Sequence, residues 1–352
     1  MSSRSTPPTR HFASDNYAGV CPKVWSALQA ADVGHVPSYG EDLLTSQVQD
    51  SFRSLFETDC EVHFVFTGTA ANSLAIASGC DSFHAVICHA FSHIETDESN
   101  APGFFAHGVK TLPINRPLGK LDAESVDAIF RNRRDIHASL PKVLSLTQST
   151  ELGTVYKVGE VRELSEMAHA LHMSVHMDGA RFSNAVASLG CSPAEVTWKA
   201  GVDVLCFGGT KNGMLSTEAV VFFNPSLAQN FKRRCKQSGQ LASKMRYHAA
   251  QWQEMLHSKL WLANAFHANE IADYLGTQLS SVQGVQILHP VEANAVFVAF
   301  PTGMTNALLE KGWRFYSDVG PGGARLMCSW NSSLEDVNEF VSDARAIASE
   351  LK

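Results

Sequence analysis

The amino-acid sequence predicts an α/β protein in which helices cover both faces of a mostly parallel sheet. Strand-like apolar runs alternate with helical patterns, such as those at residues 122–131 and 159–171, through the first two-thirds of the chain. The strand-like runs lie at 62–66, 84–88, 142–147, 173–177, 203–207 and 219–223. Short apolar strands separated by helices are typical of βαβ units, whose strands pair in parallel.

The pattern changes at about Ser243. Long helical patterns continue to Leu279, and they are followed by short strands near 285–288, 295–300 and 324–329 and by a closing helix over 333–351. This succession is typical of a smaller α+β domain. We therefore predict a disordered lead-in over residues 1–12, a large domain over 13–242 and a small C-terminal domain over 243–352.

Composition and charge narrow the class of protein. The 352 residues are 45% hydrophobic and 18% charged, which is typical of a soluble globular protein with room for two lobes. The net charge of −7 argues against a nucleic-acid partner. No apolar run reaches the roughly 20 residues that span a bilayer, and the first ten residues contain no apolar core of a secretory signal. Eight scattered cysteines without a C-x-x-C pair favour a reducing cytoplasm.

Lys211 follows an apolar run, Val204 to Phe207, in a loop of Gly, Thr and Asn. A lysine placed just beyond a core strand loses hydration, and this favours its neutral, nucleophilic form. Such an amine forms imines with aldehydes. Taken alone, the segment also fits an ordinary loop lysine with its amine in water.

A second segment supplies a carboxylate. The strand pattern at 173–177 ends in Asp178, Gly179, Ala180 and Arg181, at the sheet edge where ligands bind in open α/β folds. A carboxylate facing the pyridine nitrogen of pyridoxal 5'-phosphate (PLP) keeps that nitrogen protonated. Arg181 is close enough in sequence to reach either the phenolate oxygen of the ring or a substrate carboxylate. An Asp-Gly pair after a strand is by itself often only a turn.

A third segment fits a phosphate. The strand pattern at 62–66 is followed by a turn that contains Gly68 and Thr69 and then by a helical pattern. The start of such a helix presents backbone N–H groups to an anion. No G-x-G-x-x-G follows a strand and no G-x-x-x-x-G-K-[ST] occurs, so the dinucleotide-binding and P-loop alternatives are disfavoured.

Together the three segments resemble the aspartate-aminotransferase-like (fold type I) PLP enzymes, and within them the low-specificity L-threonine aldolases of the β-eliminating lyase group. The resemblance runs from residues 12–16 to 323–327, and its most specific parts are 176–185 and 207–213. It implies a large domain with a mostly parallel seven-stranded sheet and a cofactor, PLP, bound covalently by Lys211. It also implies a homotetramer, a dimer of dimers with shared active sites.

The same resemblance implies roles for further residues. His93 would stack on the pyridine ring near the substrate hydroxyl, with His89 as its near rival. Ser14, Arg181 and Arg325 would bind the substrate carboxylate. Three more residues would act near the entrance or on the phosphate, partly from a neighbouring subunit: Tyr39, Lys236 and Arg246. A metal site at residues 93–98 is disfavoured, because no second ligand cluster at zinc spacing accompanies it.

The sequence departs from the family pattern in the loop at 148–153, where many relatives carry a histidine near the substrate hydroxyl. This chain has none there, so the base that removes the hydroxyl proton is left open among Thr150, Glu151, His93 and an ordered water. The resemblance implies cleavage of L-threonine or L-allo-threonine, and of other β-hydroxy-α-amino acids, to glycine and an aldehyde. The alternatives are β-elimination, racemisation, serine hydroxymethyl transfer, or a PLP-binding protein without turnover.

Overall fold

A computed structural model describes residues 10–319 and 323–351. Within them the strands are β1 (Glu61–Val65), β2 (His84–His89), β3 (Lys110–Ile114), β4 (Leu140–Thr147), β5 (Ser174–Gly179), β6 (Val204–Gly208), β7 (Glu218–Phe222), β8 (Gln286–Ile287), β9 (Ala295–Ala299) and β10 (Ala324–Met327). The helices are α1 (Pro22–Ala30), α2 (Leu43–Phe56), α3 (Gly68–Gly79), α4 (His93–Thr96), α5 (Ala101–Phe105), α6 (Ala123–Arg131), α7 (Val158–Ala170), α8 (Phe182–Leu189), α9 (Pro225–Ala228), α10 (Phe231–Gln237), α11 (Arg246–His257), α12 (Leu260–Ser280), α13 (Met304–Glu310) and α14 (Leu334–Glu350).

The first seven strands form one sheet in the order β1-β7-β6-β5-β4-β2-β3. Its β3, β2, β4, β5 and β6 run parallel, and β7 pairs antiparallel with both β6 and β1. Strands β2, β6 and β7 are buried along their whole length, because helices cover both faces. The predicted fold class, with a mostly parallel seven-stranded sheet, is confirmed.

Strand β3 has no counterpart among the runs read from the sequence. It pairs only with β2, at the edge of the sheet, and it contains Pro113. Its outward residues are exposed, so the run lacks the continuous apolar character of the buried strands. A proline is tolerated at a sheet edge because no further strand needs its missing N–H.

A second, three-stranded antiparallel sheet has the order β10-β9-β8. Helices α12, α13 and α14 pack with this sheet around a separate apolar core. Phe12 lies in that core with 1% of its surface exposed, and His11 forms a bridge with Arg314. Residues 10–12 of the predicted lead-in are thus packed against the C-terminal part, whereas residues 1–9 lie outside the described residues.

Helix α11 follows the predicted domain boundary at residue 242, yet it packs against α1 and α2. Its Trp252 is fully buried and makes edge-to-face contacts with Phe52 and Phe207. This helix therefore belongs to the core of the seven-stranded sheet. The domain boundaries themselves stay a prediction. In the described part of the chain, no helix has the length and apolar character needed to cross a membrane.

The parallel strands β2, β4, β5 and β6 place their carboxyl ends at one edge of the large sheet. Four loops meet there, beginning at residues 90, 148, 180 and 209. Ligands bind at such an edge in open α/β folds. The arrangement brings together segments that lie more than a hundred residues apart in sequence.

Candidate active site

A cleft of about 670 Å³ opens at this edge, between the large sheet and the C-terminal part. Six residues named as candidates from the sequence line it: Ser14, His93, Glu151, Arg181, Lys211 and Arg325. They come from the N-terminal segment and from the loops after β2, β4, β5 and β6, together with strand β10. The structure therefore collects in one cavity a lysine, a histidine and two guanidinium groups.

Lys211 lies in a short 3-10 turn, Thr210–Asn212, directly after β6. The amide of Asn212 fastens this turn, because its Nδ2 donates to the carbonyl of Trp261 at 2.7 Å and to Ser183 Oγ at 3.1 Å. Burial lowers the pKa of Lys211 below its ordinary value, and the neighbouring Arg181 lowers it further. Both effects favour the neutral amine, which is the nucleophilic form.

Glu218 supports the same turn from β7. Its Oε2 accepts the N–H of Gly209 at 2.6 Å, and burial raises its pKa to about 7. The carboxyl group is 7% exposed and lies behind the loop rather than on the cleft wall. Glu218 therefore positions the turn that carries Lys211.

Gly208 lets the ends of β5 and β6 approach each other closely. A Cβ at this position would lie 2.4 Å from the carbonyl oxygen of Ala180. Backbone atoms cannot move aside as the end of a flexible side chain can, so only glycine fits. The close approach brings the loop after Asp178 next to the loop of Lys211.

Asp178 ends β5 with its side chain buried, at 4% exposure. Its Oδ1 accepts the N–H of Ala180 at 2.9 Å, and its Oδ2 accepts the amide Nδ2 of Asn72 at 2.8 Å. Two fixed donors hold the carboxylate in one orientation at the sheet edge. This is the geometry needed for a carboxylate that faces a ring nitrogen.

A hydrogen-bond chain connects Asp178 with the histidine side of the cleft. The second N–H of Asn72 donates to Glu98 Oε1 at 2.9 Å, and the same oxygen lies 2.8 Å from His93 Nδ1. The hydrogen bond with Glu98 raises the pKa of His93 above its ordinary value, whereas burial raises the pKa of Glu98. The chain runs Asp178–Asn72–Glu98–His93, so one network orients both the carboxylate and the imidazole.

His89 occupies a different environment. Its Nδ1 accepts the N–H of Phe91, and its Nε2 lies 2.9 Å from the carbonyl of Arg116. Both ring nitrogens thus contact backbone atoms, and His89 does not line the cleft. Of the two rival histidines, the structure places only His93 at the cavity.

Gly68 and Thr69 are the first residues of α3, whereas the sequence pattern placed them in a turn before the helix. Thr67 caps this helix by accepting the N–H of Ala70 at 3.2 Å. No atom lies within 4 Å of the position that a Cβ of Gly68 would take, so the start of the helix is open to a ligand. Asn72 is one turn further along α3, and its contact with Asp178 brings this helix start next to the site.

Arg181 is held by a residue that the sequence did not single out. Its Nε and Nη2 donate to the two carboxylate oxygens of Asp15, at 2.7 and 2.9 Å. Burial alone would raise the pKa of Asp15, but Arg181 outweighs it, and the pKa lies below its usual range. Asp15 also accepts the amide of Asn294 at 3.1 Å, so it joins the N-terminal segment, the large sheet and the C-terminal part.

Arg325 is the less engaged of the two arginines. Its Nη2 donates to the carbonyl of Ala13 at 3.3 Å, and its guanidinium lies 5.0 Å from the ring centre of Tyr316. Its Nε is buried and has no partner among the described residues. Burial lowers the pKa of Arg325, as does the charge of Arg181. A half-buried guanidinium with a free donor is suited to bind a carboxylate.

Three predicted residues lie away from the cleft: Tyr39, Lys236 and Arg246. The amine of Lys236 is 4.4 Å from the ring centre of Tyr39, and neither residue lines the cleft. Arg246 donates to the carbonyls of Val33 and Gly34, both at 3.3 Å. A single chain does not bring these residues to Lys211.

Comparison with known proteins gives the family. The sequence matches the beta-eliminating lyase family over residues 11–302. The chain belongs to this family. It is 53% identical to a low specificity L-threonine aldolase of Pseudomonas aeruginosa, over 97% of this chain and 99% of that protein. It is 51% identical to a low specificity L-threonine aldolase of Pseudomonas sp. strain NCIMB 10558, over 98% of this chain and 99% of that protein.

The fold matches a threonine aldolase from Leishmania major with a TM-score of 0.90 and 25% identity, over 96% of this chain and 99% of that one. A putative L-allo-threonine aldolase from Listeria monocytogenes has a TM-score of 0.70 at 18% identity, over 96% of this chain and 95% of that one, which indicates the shared fold. The resemblance that the sequence motifs predict is confirmed.

Sequence reasoning missed Asn72, Glu98 and Asp15 as members of the site. Asp15 and Glu98 were visible only as parts of longer motifs, and Asn72 only as a polar residue in an otherwise apolar helix. In the residues that the structure describes, no group of three or more His, Cys, Asp or Glu side chains is arranged to hold a metal ion.

Proposed function

We propose that this chain is a low-specificity L-threonine aldolase. It cleaves L-threonine, L-allo-threonine and other β-hydroxy-α-amino acids between Cα and Cβ, which yields glycine and an aldehyde. The observation that carries this proposal is the position of Lys211 on the cleft wall, directly after the strand that pairs with the one carrying Asp178, in a chain that matches two aldolases of that name over nearly its full length.

The residues present fit PLP as the cofactor. Lys211 supplies a desolvated amine, Asp178 a fixed carboxylate, and Gly68 and Thr69 an open helix start for the phosphate. His93 lines the cleft on the side of Asn72 and Glu98, where it is suited to stack on the pyridine ring. When bound, PLP withdraws electrons from Cα of the amino acid and so weakens the bonds to that carbon.

Arg325, Arg181 and Ser14 are proposed to hold the carboxylate of the amino acid. Arg325 contributes its free Nε, and Arg181 is oriented by Asp15 so that it lines the cleft with its remaining edge. When two guanidinium groups hold its carboxylate, the amino acid cannot rotate about its N–Cα bond. That grip would fix which bond to Cα the cofactor, when bound, could weaken.

We also propose that the protein is a homotetramer, a dimer of dimers in which a neighbouring subunit completes each site. The position of Tyr39, Lys236 and Arg246 outside their own cleft supports this, since the family pattern sends such residues to the entrance and the phosphate. We propose a cytoplasmic location as well. All eight cysteines are free, which suits a reducing compartment.

The test is to mix the PLP-loaded protein with L-threonine and with L-allo-threonine, and to measure acetaldehyde and glycine together. Equimolar release of both products is expected. Pyruvate with ammonia would instead identify an eliminase, tetrahydrofolate dependence a transferase, and racemised amino acid a racemase. A yellow protein whose absorption spectrum does not change when any of these amino acids is added would indicate a PLP-binding protein without turnover.

A pair of variants tests whether Lys211, rather than another lysine, binds the cofactor. Lys211→Ala is expected to lose both the cleavage and the visible absorption band of the bound cofactor, since no other amine lines the cleft in the described residues. Lys110→Ala, an exposed change on β3, is expected to keep both. Full activity of Lys211→Ala would contradict the assignment.

A further inference from the structure

The loop after β4 places Glu151 on the wall of the cleft, together with Lys211 and His93. Its Oε1 accepts two hydrogen bonds, from the backbone N–H of His93 and from Thr147 Oγ1, both at 2.9 Å. Its Oε2 is buried and has no partner among the described residues. One carboxylate oxygen is therefore fixed in position, while the other is left available for a proton.

Aldol cleavage needs a group that accepts the proton of the β-hydroxyl. His93 has another role in the proposed site, because its Nδ1 is hydrogen-bonded with Glu98 and its ring is the one proposed to stack on the cofactor. Thr150 is 2% exposed, and its hydroxyl lies 2.7 Å from that of Thr154, away from the cleft. Among the side chains that sequence analysis left open, Glu151 combines access to the cleft with a free acceptor oxygen.

The surroundings tune this carboxyl group for proton transfer near neutral pH. Burial, followed by the charge of Asp178, raises the pKa of Glu151 to about 7. A base works best when its pKa lies near the working pH. The charged or titratable groups that interact with Glu151 are Asp178, Arg181, His93, Cys88 and Tyr156.

We propose that Glu151 is a catalytic residue that accepts the β-hydroxyl proton during Cα–Cβ cleavage, an inference that rests on the proposed aldolase function. The O–H bond breaks and its proton passes to Glu151, while the electron pair left on oxygen forms the second bond of the aldehyde carbonyl. The electron pair of the Cα–Cβ bond stays with Cα, and the cofactor, when bound, would supply the stabilisation of this charge. Cα then gains a proton from water, and Glu151 releases its proton to water, so the overall proton count is unchanged.

The test is Glu151→Gln in the PLP-loaded protein. The amide oxygen can still accept from His93 N–H and Thr147, so the loop keeps its hydrogen bonds, but the side chain no longer takes up a proton. The kcat for L-threonine should fall about 10²–10⁴-fold with KM changed less than about threefold, which is the usual contribution of general-base catalysis. Glu151→Asp should recover at least about tenfold of the loss.

The pH profile gives an independent signature. In the unsubstituted protein kcat/KM should fall as the pH drops below about 7, because protonation of Glu151 removes the base. The residual activity of Glu151→Gln should lack this acidic limb. Glu292→Gln is the matched control, since Glu292 accepts the N–H of Val155 at 2.7 Å near the same loop but does not line the cleft. It should behave like the unsubstituted protein.

Two readouts that do not depend on cleavage separate a catalytic from a structural role. The affinity for PLP and the change of the cofactor spectrum on adding glycine should be unchanged in Glu151→Gln, because glycine has no β-hydroxyl. Loss of either together with cleavage would assign a structural role and overturn the inference. The inference would also be overturned if Glu151→Gln cleaved L-threonine within threefold of the normal rate and kept the acidic limb of the pH profile. If the unsubstituted protein itself releases no acetaldehyde, the proposed function fails instead.

Discussion

Asn72→Ala removes the amide that joins the two halves of the active-site network. The amide donates to Asp178 Oδ2 at 2.8 Å and to Glu98 Oε1 at 2.9 Å, and all three side chains are buried. Alanine fits the helix but donates nothing, so two carboxylate oxygens lose a donor at once. The substitution therefore tests whether the network holds the site in shape.

The expected cost follows from those two bonds. A hydrogen bond to a charged group contributes about 1.5–3 kcal/mol, so the loss lies between about 3 and 6 kcal/mol. We expect a value near the lower end, about 3 kcal/mol, because water can enter the space that the amide vacates. The affinity for PLP should also fall at least about tenfold, since Asp178 loses one of its two fixed donors.

The assay is urea unfolding of the cofactor-free protein at one fixed concentration, followed by titration with PLP. Asn184→Ala is the matched control, because this buried amide donates at 3.0 Å to the neutral side chain of Asn269 and does not line the cleft. It should cost about 1 kcal/mol and leave the affinity for PLP unchanged. A loss below 1 kcal/mol for Asn72→Ala, with unchanged PLP affinity, would refute the reasoning.

Three further predictions concern the frame of the site. Gly208→Ala should lower the free energy of unfolding by about 3 kcal/mol and weaken PLP binding, because the added Cβ would lie 2.4 Å from a backbone oxygen. Gly159→Ala is the control: no atom lies within 4 Å of its added Cβ, so urea unfolding should be unchanged. Burial lowers the pKa of His248 to about 4, so the free energy of unfolding should fall by up to about 3 kcal/mol as the pH drops from 6.5 to 4. Urea unfolding at pH 7.5 and at pH 4.5 measures this difference, and His248→Phe should make it smaller. Asp15→Asn should destabilise the protein by about 3 kcal/mol and raise KM for L-threonine, because a neutral amide replaces the carboxylate of a bidentate ion pair with Arg181. An unchanged KM would contradict the role of Asp15 in orienting Arg181.

The buried strands of the large sheet are predictable from sequence because both of their faces are covered. Strands such as β5 and β6 appear as short, continuous apolar runs whose ends coincide with a turn residue or a charged residue. Strand β3 escapes this signal, since it lies at an edge and contains both Lys110 and Pro113. The order of the strands is likewise absent from any local pattern, because pairing depends on contacts between distant segments.

Residues that carry chemistry at strand ends are predictable for a related reason. Asp178 lies at the carboxyl end of β5 and Lys211 lies in the turn after β6, and their residue types alone indicate the chemistry. Their partners leave weaker signals. Asn72 meets Asp178 across 106 residues of sequence, and Arg181 meets Asp15 across 166. A hydrogen bond between such distant positions exists only after the sheet has assembled.

The sequence by itself therefore determined the α/β class, the three segments that carry a lysine, an aspartate and a glycine-containing turn before a helix, and the absence of a histidine from the loop at 148–153. Only the tertiary structure decided that His93 rather than His89 lines the cleft, that Asp15 orients Arg181, and that Glu151 lines the same cleft as Lys211 and has one oxygen without a partner among the described residues. The physical reason is that local patterns report burial and turn chemistry, whereas hydrogen-bond partners and pKa values depend on which distant groups the fold brings within about 3 Å of each other.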